Sequence, residues 1–262
     1  MSIAHRENMK FTRAIVCPPG PSLVRGLTSS NLGPLCYETA LVQHAAYVRA
    51  LEQCGLEMIV LDPNDDYPDS TFLEDTALLT SECAIILRPG DLSRRGETEM
   101  IRPVLREFYA SVEQVESPGT AEGGDIMMVG KHFYIGLSQR TNPDGARQVI
   151  KILEAHGMTG STVLLSDLLH LKSAVAHLED DNLVVTGELL GRSEFGGYEI
   201  IRVDDDEQYA ANCLWLNGTV LVASGYPKTK QAIEARGYST IPLDVSEFRK
   251  VDGGLSCLSL RF

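Results

Sequence analysis

The amino-acid sequence predicts one α/β domain of about five related modules, and two recurring patterns support this prediction. An amphipathic helix followed by an apolar strand recurs four times along the 262 residues. Before several of these units, two apolar runs flank a short turn, which is typical of a β-hairpin. No Pro/Ser-rich linker divides the units. We therefore expect a single domain over residues 1–262, with residues 1–11 as a flexible N-terminal extension.

The helices are predicted from apolar side chains that recur at helical spacing. The first helix is expected at 37–54, and a strand at 56–61 follows it. The later pairs of helix and strand are expected at 97–109 and 112–115, 142–156 and 161–165, and 228–236 and 239–243. The region 173–203 contributes strands at 182–185 and 198–203 and forms a further module if its helix is short.

The hairpins are predicted from turn residues between apolar runs. Asn217-Gly218, between 213–216 and 219–222, is the strongest of these signals because Asn-Gly favours a two-residue hairpin turn. Two further hairpins are expected at 126–129 with 132–135 and at 75–79 with 83–87.

Composition limits the classes of partner. The formal net charge is −13 and the sequence pI is about 4.9, which argues against nucleic acid and anionic membranes and suits a small cationic substrate. No apolar run is long enough to span a membrane, and the N-terminal residues lack the apolar region of a signal peptide. The six scattered cysteines form no CxxC pair or zinc-type spacing, which favours reduced thiols in the cytoplasm.

The C-terminal stretch Asp252-Gly253-Gly254-Leu255-Ser256-Cys257 places a thiol shortly after two glycines. Such a pair allows close approach of a ligand to the backbone, so Cys257 is a candidate nucleophile. Taken alone, however, the stretch favours the ordinary alternative, a buried cysteine in a terminal strand over 255–260.

A nucleophilic thiol needs a proton-transfer partner and groups that hold the electrophile. Candidates stand at loop positions beside predicted strands: Asp69, Glu74, Asp75, Arg94, Arg95, Glu122, Asp125, Arg140 and His170. Each also has a structural alternative, since acids cap turns, arginines pair on surfaces, and a histidine with apolar neighbours is often a core residue. The sequence contains no phosphate-binding loop, no GxGxxG and no GxSxG, and no metal or organic cofactor is expected.

These residues carry a resemblance to the dimethylarginine dimethylaminohydrolase family that extends from about Ser22 to Phe262. The matching motifs, in the family's order, are Gly26-Leu27-Thr28, Asp69 through Asp75, Arg88-Pro89-Gly90 with Ser93-Arg94-Arg95, Glu122-Gly123-Gly124-Asp125, Ser138 through Asn142, His170 through Ser173, and Asp252 through Cys257. The resemblance implies the pentein fold, an α/β propeller of five ββαβ-like modules with pseudo-fivefold symmetry and a central active site.

The resemblance also implies a mechanism. Cys257 would attack the guanidinium carbon of dimethylarginine, or of monomethylarginine, to form a covalent thiouronium that yields citrulline. His170 would be the general acid and base, Glu122 would be the third catalytic residue, and Glu122 and Asp75 would hold the guanidinium. Because these carboxylates disfavour a thiolate, we expect Cys257 to be a neutral thiol until the cationic substrate binds.

The remaining substrate contacts implied by the resemblance bind the amino-acid end. Arg94 and Arg140 would hold the α-carboxylate. The α-ammonium would be received by Asp69 and by the backbone carbonyls of Leu27 and Val251. Glu74 and Ser256 complete the substrate-binding residues that the motifs imply.

Three rival functions stay open. The first is an arginine deiminase, a class that resembles this pattern but carries an acid two residues after the histidine, where this chain has Lys172. The absence of that acid leaves room for N-methyl groups and favours methylated arginine. The second is an amidinotransferase acting on another guanidino compound, and the third is a catalytically silent binding protein. The resemblance also favours a homodimer.

Overall fold

The computed structural model describes residues 10–262, so most of the predicted N-terminal extension, residues 1–9, lies outside the described residues. The strands in this range are β1 (Arg13–Val16), β2 (Glu57–Val60), β3 (Ala77–Leu79), β4 (Ala84–Ile86), β5 (Val112–Gln114), β6 (Ile126–Val129), β7 (His132–Leu137), β8 (Thr159–Leu164), β9 (Val175–His177), β10 (Asn182–Val185), β11 (Glu199–Arg202), β12 (Leu214–Leu216), β13 (Thr219–Ala223), β14 (Ser239–Leu243) and β15 (Leu260–Arg261). The α-helices are α1 (Tyr37–Gln53), α2 (Thr98–Phe108), α3 (Pro143–Ala155), α4 (Pro227–Glu234) and α5 (Ser246–Arg249).

The strands form five three-stranded sheets of one design. In each sheet the middle strand pairs antiparallel with one neighbour and parallel with the other, as β7 does with β6 and β8. The parallel pairing requires a crossover, which is an α-helix in four sheets. In the fourth sheet, which contains β9, β10 and β11, the helix is replaced by two short 3₁₀ turns at Gly187–Leu189 and Ser193–Phe195. This agrees with the prediction that the region 173–203 forms a module if its helix is short.

The first sheet joins the two ends of the described chain. Strand β15 pairs antiparallel with β1, and β1 pairs parallel with β2. Both faces of β1 are buried: Ala14 and Val16 pack against the fifth sheet, while Ile15 packs against the second. Further apolar clusters lie between the second and third, third and fourth, and fourth and fifth sheets. The sheets therefore form a ring, the five-module α/β propeller implied by the resemblance.

The predicted helices and strands are confirmed to within about two residues at each end, and three of these differences have a clear structural cause. Residues Leu73–Thr76 form a 3₁₀ turn instead of the start of a strand at 75–79. Glu97 ends another 3₁₀ turn, so α2 begins at Thr98. Strand β8 begins at Thr159 because the amide of Thr159 donates to the carbonyl of Lys131.

A 3₁₀ turn precedes the first strand of every sheet, and these turns approach one another near the middle of the ring. They span Ser256–Leu258, Leu73–Thr76, Gly123–Asp125, Leu171–Ser173 and Asp205–Ala211. The terminal strand considered for 255–260 is thus a turn followed by the short strand β15. Since side chains on or beside these turns share one space, the repeat itself builds a central site. Among the described residues, no helix is both long and apolar enough to cross a membrane.

Candidate active site

Cys257 lies on the turn of the first sheet and lines a cavity together with His170 and Gly124. Its backbone amide donates to the carbonyl of Gly254 at 3.2 Å. The residue is 9% exposed. The thiol is buried, and yet it borders a cavity that it shares with an imidazole.

His170 stands directly before the turn of the fourth sheet and is paired with Glu122, which stands directly before the turn of the third. Nε2 of His170 lies 2.6 Å from Oε2 of Glu122. The other oxygen of Glu122 accepts a hydrogen bond from the amide of Gly90 at 2.9 Å. Because Glu122 is fully buried, its carboxylate holds the ring in one orientation.

The Glu122–His170 pair is charged at neutral pH. Burial opposes the charge on His170, but the carboxylates of Asp75, Asp125 and Glu122 outweigh it and raise the pKa of His170 to about 9. Burial likewise disfavours ionised Glu122, yet His170 and two arginines lower the pKa of Glu122 to about 2. The imidazolium therefore carries a proton that it can give to a leaving group.

Asp75 forms the wall beside this pair. Its Oδ1 accepts from the amide of Gly124 at 2.9 Å, and its Oδ2 accepts from Nη1 of Arg94 at 2.8 Å. Oδ1 also lies 4.0 Å from Nε2 of His170. A Cβ atom at Gly124 would lie 2.6 Å from Nδ1 of His170, so only glycine lets the turn pack this closely against the ring.

Asp75, Glu122 and His170 have ligand-type atoms that all lie within 4.8 Å of one another. Two carboxylates and an imidazole are donors that a divalent cation accepts. The same atoms are also those that a planar guanidinium would meet at this place, since each carboxylate can accept its N–H groups.

The thiol of Cys257 is held in its neutral form. Burial first, and then the negative charges of Glu74 and Asp75, raise the pKa of Cys257 to about 12. The direction agrees with the expectation drawn from the sequence. The thiol therefore needs an added positive charge nearby before it can act as a nucleophile at neutral pH.

The two predicted carboxylate-binding arginines have different surroundings. Arg94 is buried, and its guanidinium donates to Asp75, to Glu97 and to the carbonyl of Phe72. Arg140 has a buried Nη1 that makes no hydrogen bond and lies 3.8 Å from the carboxylates of Asp91 and Glu122. Since an unpaired buried donor is costly, Arg140 is the arginine with bonding capacity for an incoming acceptor.

The three residues predicted to receive the α-ammonium lie together around Gly26. The amide of Leu27 donates to both carboxylate oxygens of Asp69, at 3.1 and 3.2 Å. A Cβ atom at Gly26 would be 3.1 Å from Oδ1 of Asp69 and 3.3 Å from Cγ1 of Val251. Burial raises the pKa of Asp69 above its ordinary value, and the positive charge of Arg94 opposes this shift only in part.

Glu74 and Ser256 belong to a buried polar cluster under the thiol. Glu74 accepts from Nζ of Lys172 at 2.6 Å and from Nη2 of Arg261 at 2.8 Å. Its second oxygen accepts from the hydroxyl of Ser256 at 2.6 Å. Both oxygens of Glu74 and the hydroxyl of Ser256 thus have protein partners, so a direct substrate contact for either residue stays a prediction.

Several residues of the site carry no recognisable signal in the sequence. Asn212 bonds to Ser256, and the hydroxyl of Tyr209 donates to the carbonyl of Gly253 at 2.8 Å. Arg261 donates to the carbonyl of Ser256 at 2.8 Å. None of these residues lies in a motif. Tyr209 and Asn212 also bond to residues far away in the sequence, and only Arg261 has a nearby partner, so the sequence pattern did not reveal them.

Comparisons with known proteins agree with one another. A family model described as N,N dimethylarginine dimethylhydrolase, eukaryotic, matches residues 35–259. The N(G),N(G)-dimethylarginine dimethylaminohydrolase of Pseudomonas aeruginosa is 53% identical over 253 residues, which is 96% of this chain and 100% of that protein.

Two solved structures extend the likeness to the fold. A dimethylarginine dimethylaminohydrolase from Pseudomonas aeruginosa, a cysteine-to-serine mutant complexed with citrulline, has a TM-score of 0.96 and 52% identity over 97% of this chain and 100% of that one. A histidine-to-glycine variant of a dimethylarginine dimethylaminohydrolase, an adduct with S-methyl-L-thiocitrulline, has a TM-score of 0.95 and 53% identity over 96% and 100% of the two chains.

Proposed function

This chain belongs to the dimethylarginine dimethylaminohydrolase family, and from that premise we propose that Cys257 is its nucleophile and His170 its general acid and base. The chain is a hydrolase that converts N-omega,N-omega-dimethyl-L-arginine to L-citrulline and dimethylamine. The observation that carries the residue assignment is the shared cavity of Cys257 and His170, with His170 held by the buried carboxylate of Glu122.

In the proposed complex, Asp75 and Glu122 accept the N–H groups of the guanidinium. Nη1 of Arg140 makes no hydrogen bond, which supports its assignment to the α-carboxylate, with Arg94 as the second cation of that region. The α-ammonium would meet the carboxylate of Asp69 and the backbone carbonyls of Leu27 and Val251; the hydrogen bond of Leu27 to Asp69 and the position of Val251 beside Gly26 support this proposal. The α-carboxylate and the α-ammonium of the substrate would thereby each meet groups of opposite charge.

The first chemical step uses the substrate's own charge. When the guanidinium binds, it lowers the pKa of the Cys257 thiol, which gives up its proton to solvent because His170 is already protonated. The thiolate sulfur attacks the guanidinium carbon, and a C–S bond forms. Protonated His170 then gives its proton to the dimethylamino nitrogen, the C–N bond breaks, and dimethylamine departs from a cationic S-alkylthiouronium.

The second step reverses the proton transfer. His170, now neutral, takes a proton from a water molecule as the water oxygen attacks the thiouronium carbon. The tetrahedral adduct collapses with loss of the sulfur and of a proton, which leaves the ureido group of citrulline and free Cys257. Monomethylarginine follows the same route with methylamine as the leaving group.

The proposal is tested by citrulline release from asymmetric dimethylarginine and, in parallel, from arginine, with wild type and C257S and no added metal. We expect citrulline from the methylated substrate and loss of that activity in C257S. Release mainly from arginine would identify a deiminase. Transfer of an amidino group to an added amine would identify an amidinotransferase, and no product with a folded protein would favour the silent binder.

We also propose that the enzyme works in the reducing cytoplasm, because all cysteines in the described residues are free thiols. The chain is expected to act as a single catalytic unit, since the ring joins its first and fifth sheets through one apolar cluster. The homodimer stays a prediction of the resemblance.

A further inference from the structure

Four of the five central turns supply a side chain to the proposed mechanism, on the turn or immediately before it. They are the turns at Cys257, Asp75, Glu122 and His170. The turn of the fifth sheet, Asp205–Ala211, has no part in that mechanism. The residue that follows it, Asn212, is 8% exposed and points toward the same centre, because it lines the cavity shared by Cys257 and His170.

The amide of Asn212 joins the two catalytic segments directly. Its Oδ1 accepts from the backbone amide of Ser256, and its Nδ2 donates to the hydroxyl of Ser256, each at 3.0 Å. The same Nδ2 donates to the carbonyl of Lys172 at 3.0 Å. Ser256 precedes Cys257, and Lys172 lies two residues after His170. One planar group therefore connects the nucleophile to the acid and base.

Ser256 is also held by two other side chains. Its hydroxyl also donates to Glu74 at 2.6 Å, and its carbonyl accepts from Nη1 of Arg261 at 2.8 Å. The amide, the hydroxyl and the carbonyl of Ser256 are thus all held by side chains. The backbone of Ser256 fixes the position of the Cα of Cys257. Removal of the Asn212 side chain would therefore free the Ser256–Cys257 segment on the side that faces His170.

The packing around the Asn212 amide is equally close. A Cβ atom at Gly254 would lie 2.5 Å from Oδ1 of Asn212. Tyr209, on the same turn, donates to the carbonyl of Gly253 at 2.8 Å. The segment that leads into the fifth sheet therefore contacts both glycines and the serine that precede Cys257.

We propose that Asn212 is a positioning residue that sets the distance between the thiol of Cys257 and the imidazole of His170. It touches neither reacting atom in the proposed mechanism, on which this inference rests, and it acts through Ser256 and Lys172. A displacement of about 1 Å of a reacting group can reduce a rate by about 10²-fold. Substrate affinity depends instead on the arginines and acids at the other end of the site.

The test compares N212A with N217A. Asn217 is a matched control because its side chain, like that of Asn212, makes three hydrogen bonds; its partners are the amide and carbonyl of Phe11 and the carbonyl of Cys54, at 3.0, 2.9 and 2.9 Å. Its positive φ adds strain on replacement, so N217A loses at least as much stability. The readouts are kcat and KM for dimethylarginine, thermal unfolding, and the rate at which chloroacetamidine alkylates Cys257.

For N212A we expect kcat to fall by about 30- to 100-fold, KM to change by less than about 3-fold, and alkylation of Cys257 to slow by about 10-fold at every pH. For N217A we expect kcat and alkylation within about 2-fold of wild type. If N212A lowers only the unfolding temperature, and its kcat and alkylation rate match those of N217A, Asn212 is merely structural and the inference is overturned.

N212D provides a second variant of the same shape should N212A fold poorly. It keeps the acceptor for the amide of Ser256 but has no donor for Lys172 or for the hydroxyl, so its kcat should fall at least as far as that of N212A. Full activity in N212D would overturn the inference. A wild type without dimethylarginine activity, or an active C257S, would overturn the proposed function instead, and these outcomes do not depend on Asn212.

Discussion

The ionisation of Cys257 should depend on a bound cation. With a pKa of about 12 in the free enzyme, only about 3 in 10⁵ molecules carry a thiolate at pH 7.5. A guanidinium or amidinium about 4 Å from the sulfur contributes about 4 kcal/mol at an effective dielectric constant of about 20, which corresponds to about 3 pKa units. The pKa of the thiol in the complex should therefore fall to about 9.

The assay is alkylation of Cys257 as a function of pH with a neutral reagent, iodoacetamide, and a cationic one, chloroacetamidine. Because Cys36 is exposed and also reacts, modification is followed on the peptide that contains Cys257, or in a C36S background. After each rate is divided by that of a small reference thiol, chloroacetamidine should be favoured by about 10³-fold at pH 7.5.

The pH profiles separate this account from an intrinsically reactive thiol. In the free enzyme, the iodoacetamide rate should keep rising up to pH 10, and a non-reactive amidinium ligand should move the profile to lower pH. A rate that levels off at or below about pH 8 without ligand, and that the ligand leaves unchanged, would refute the reasoning.

Three further predictions concern the rest of the site. In E122Q the loss of the carboxylate should lower the pKa of His170 from about 9 toward 6.5. The basic limb of the pH profile of kcat should then move to lower pH, and kcat should fall by about 10²-fold. A basic limb that does not move would contradict the pairing of Glu122 with His170. R140K should raise KM for dimethylarginine by about 10- to 100-fold and should leave unchanged the weaker turnover of an analogue that lacks the α-carboxylate. An equal loss for both substrates would argue against the assignment of Arg140 to the α-carboxylate. In G124A the new Cβ would clash with the buried His170 ring, so kcat should fall by about 10²-fold and the unfolding temperature should also fall. A fully active G124A would show that the ring can move.

The sequence predicted those parts of the fold that depend on neighbouring residues. Helix α3 and strand β14 come from local periodicity, and the turn at Asn217-Gly218 comes from residue chemistry. The pairing of β15 with β1 was not predicted from the residues, because it joins segments about 250 positions apart and two short strands carry no signal for each other. Only the resemblance implied that the ring would close.

The candidate site divides in a similar way. Its chemically reactive residues stand out in sequence because a thiol, an imidazole and paired acids beside glycines are unusual in loops. The groups that hold them do not: Asn212 and Glu74 reach Ser256 across 44 and 182 positions. Glu74 is an example, since its motif gives no sign of its cationic partners Lys172 and Arg261.

The central claim, covalent catalysis at Cys257, is tested most directly by mass spectrometry of an acid-quenched reaction. S-methyl-L-thiocitrulline serves as substrate because its leaving group, methanethiol, needs little help from a general acid, and H170A should then stop the reaction before hydrolysis. We expect a stoichiometric adduct on the peptide that contains Cys257, and none when C257S is combined with H170A. If Cys257 stays unmodified while the substrate is consumed, or if the adduct lies on another residue, the account is contradicted.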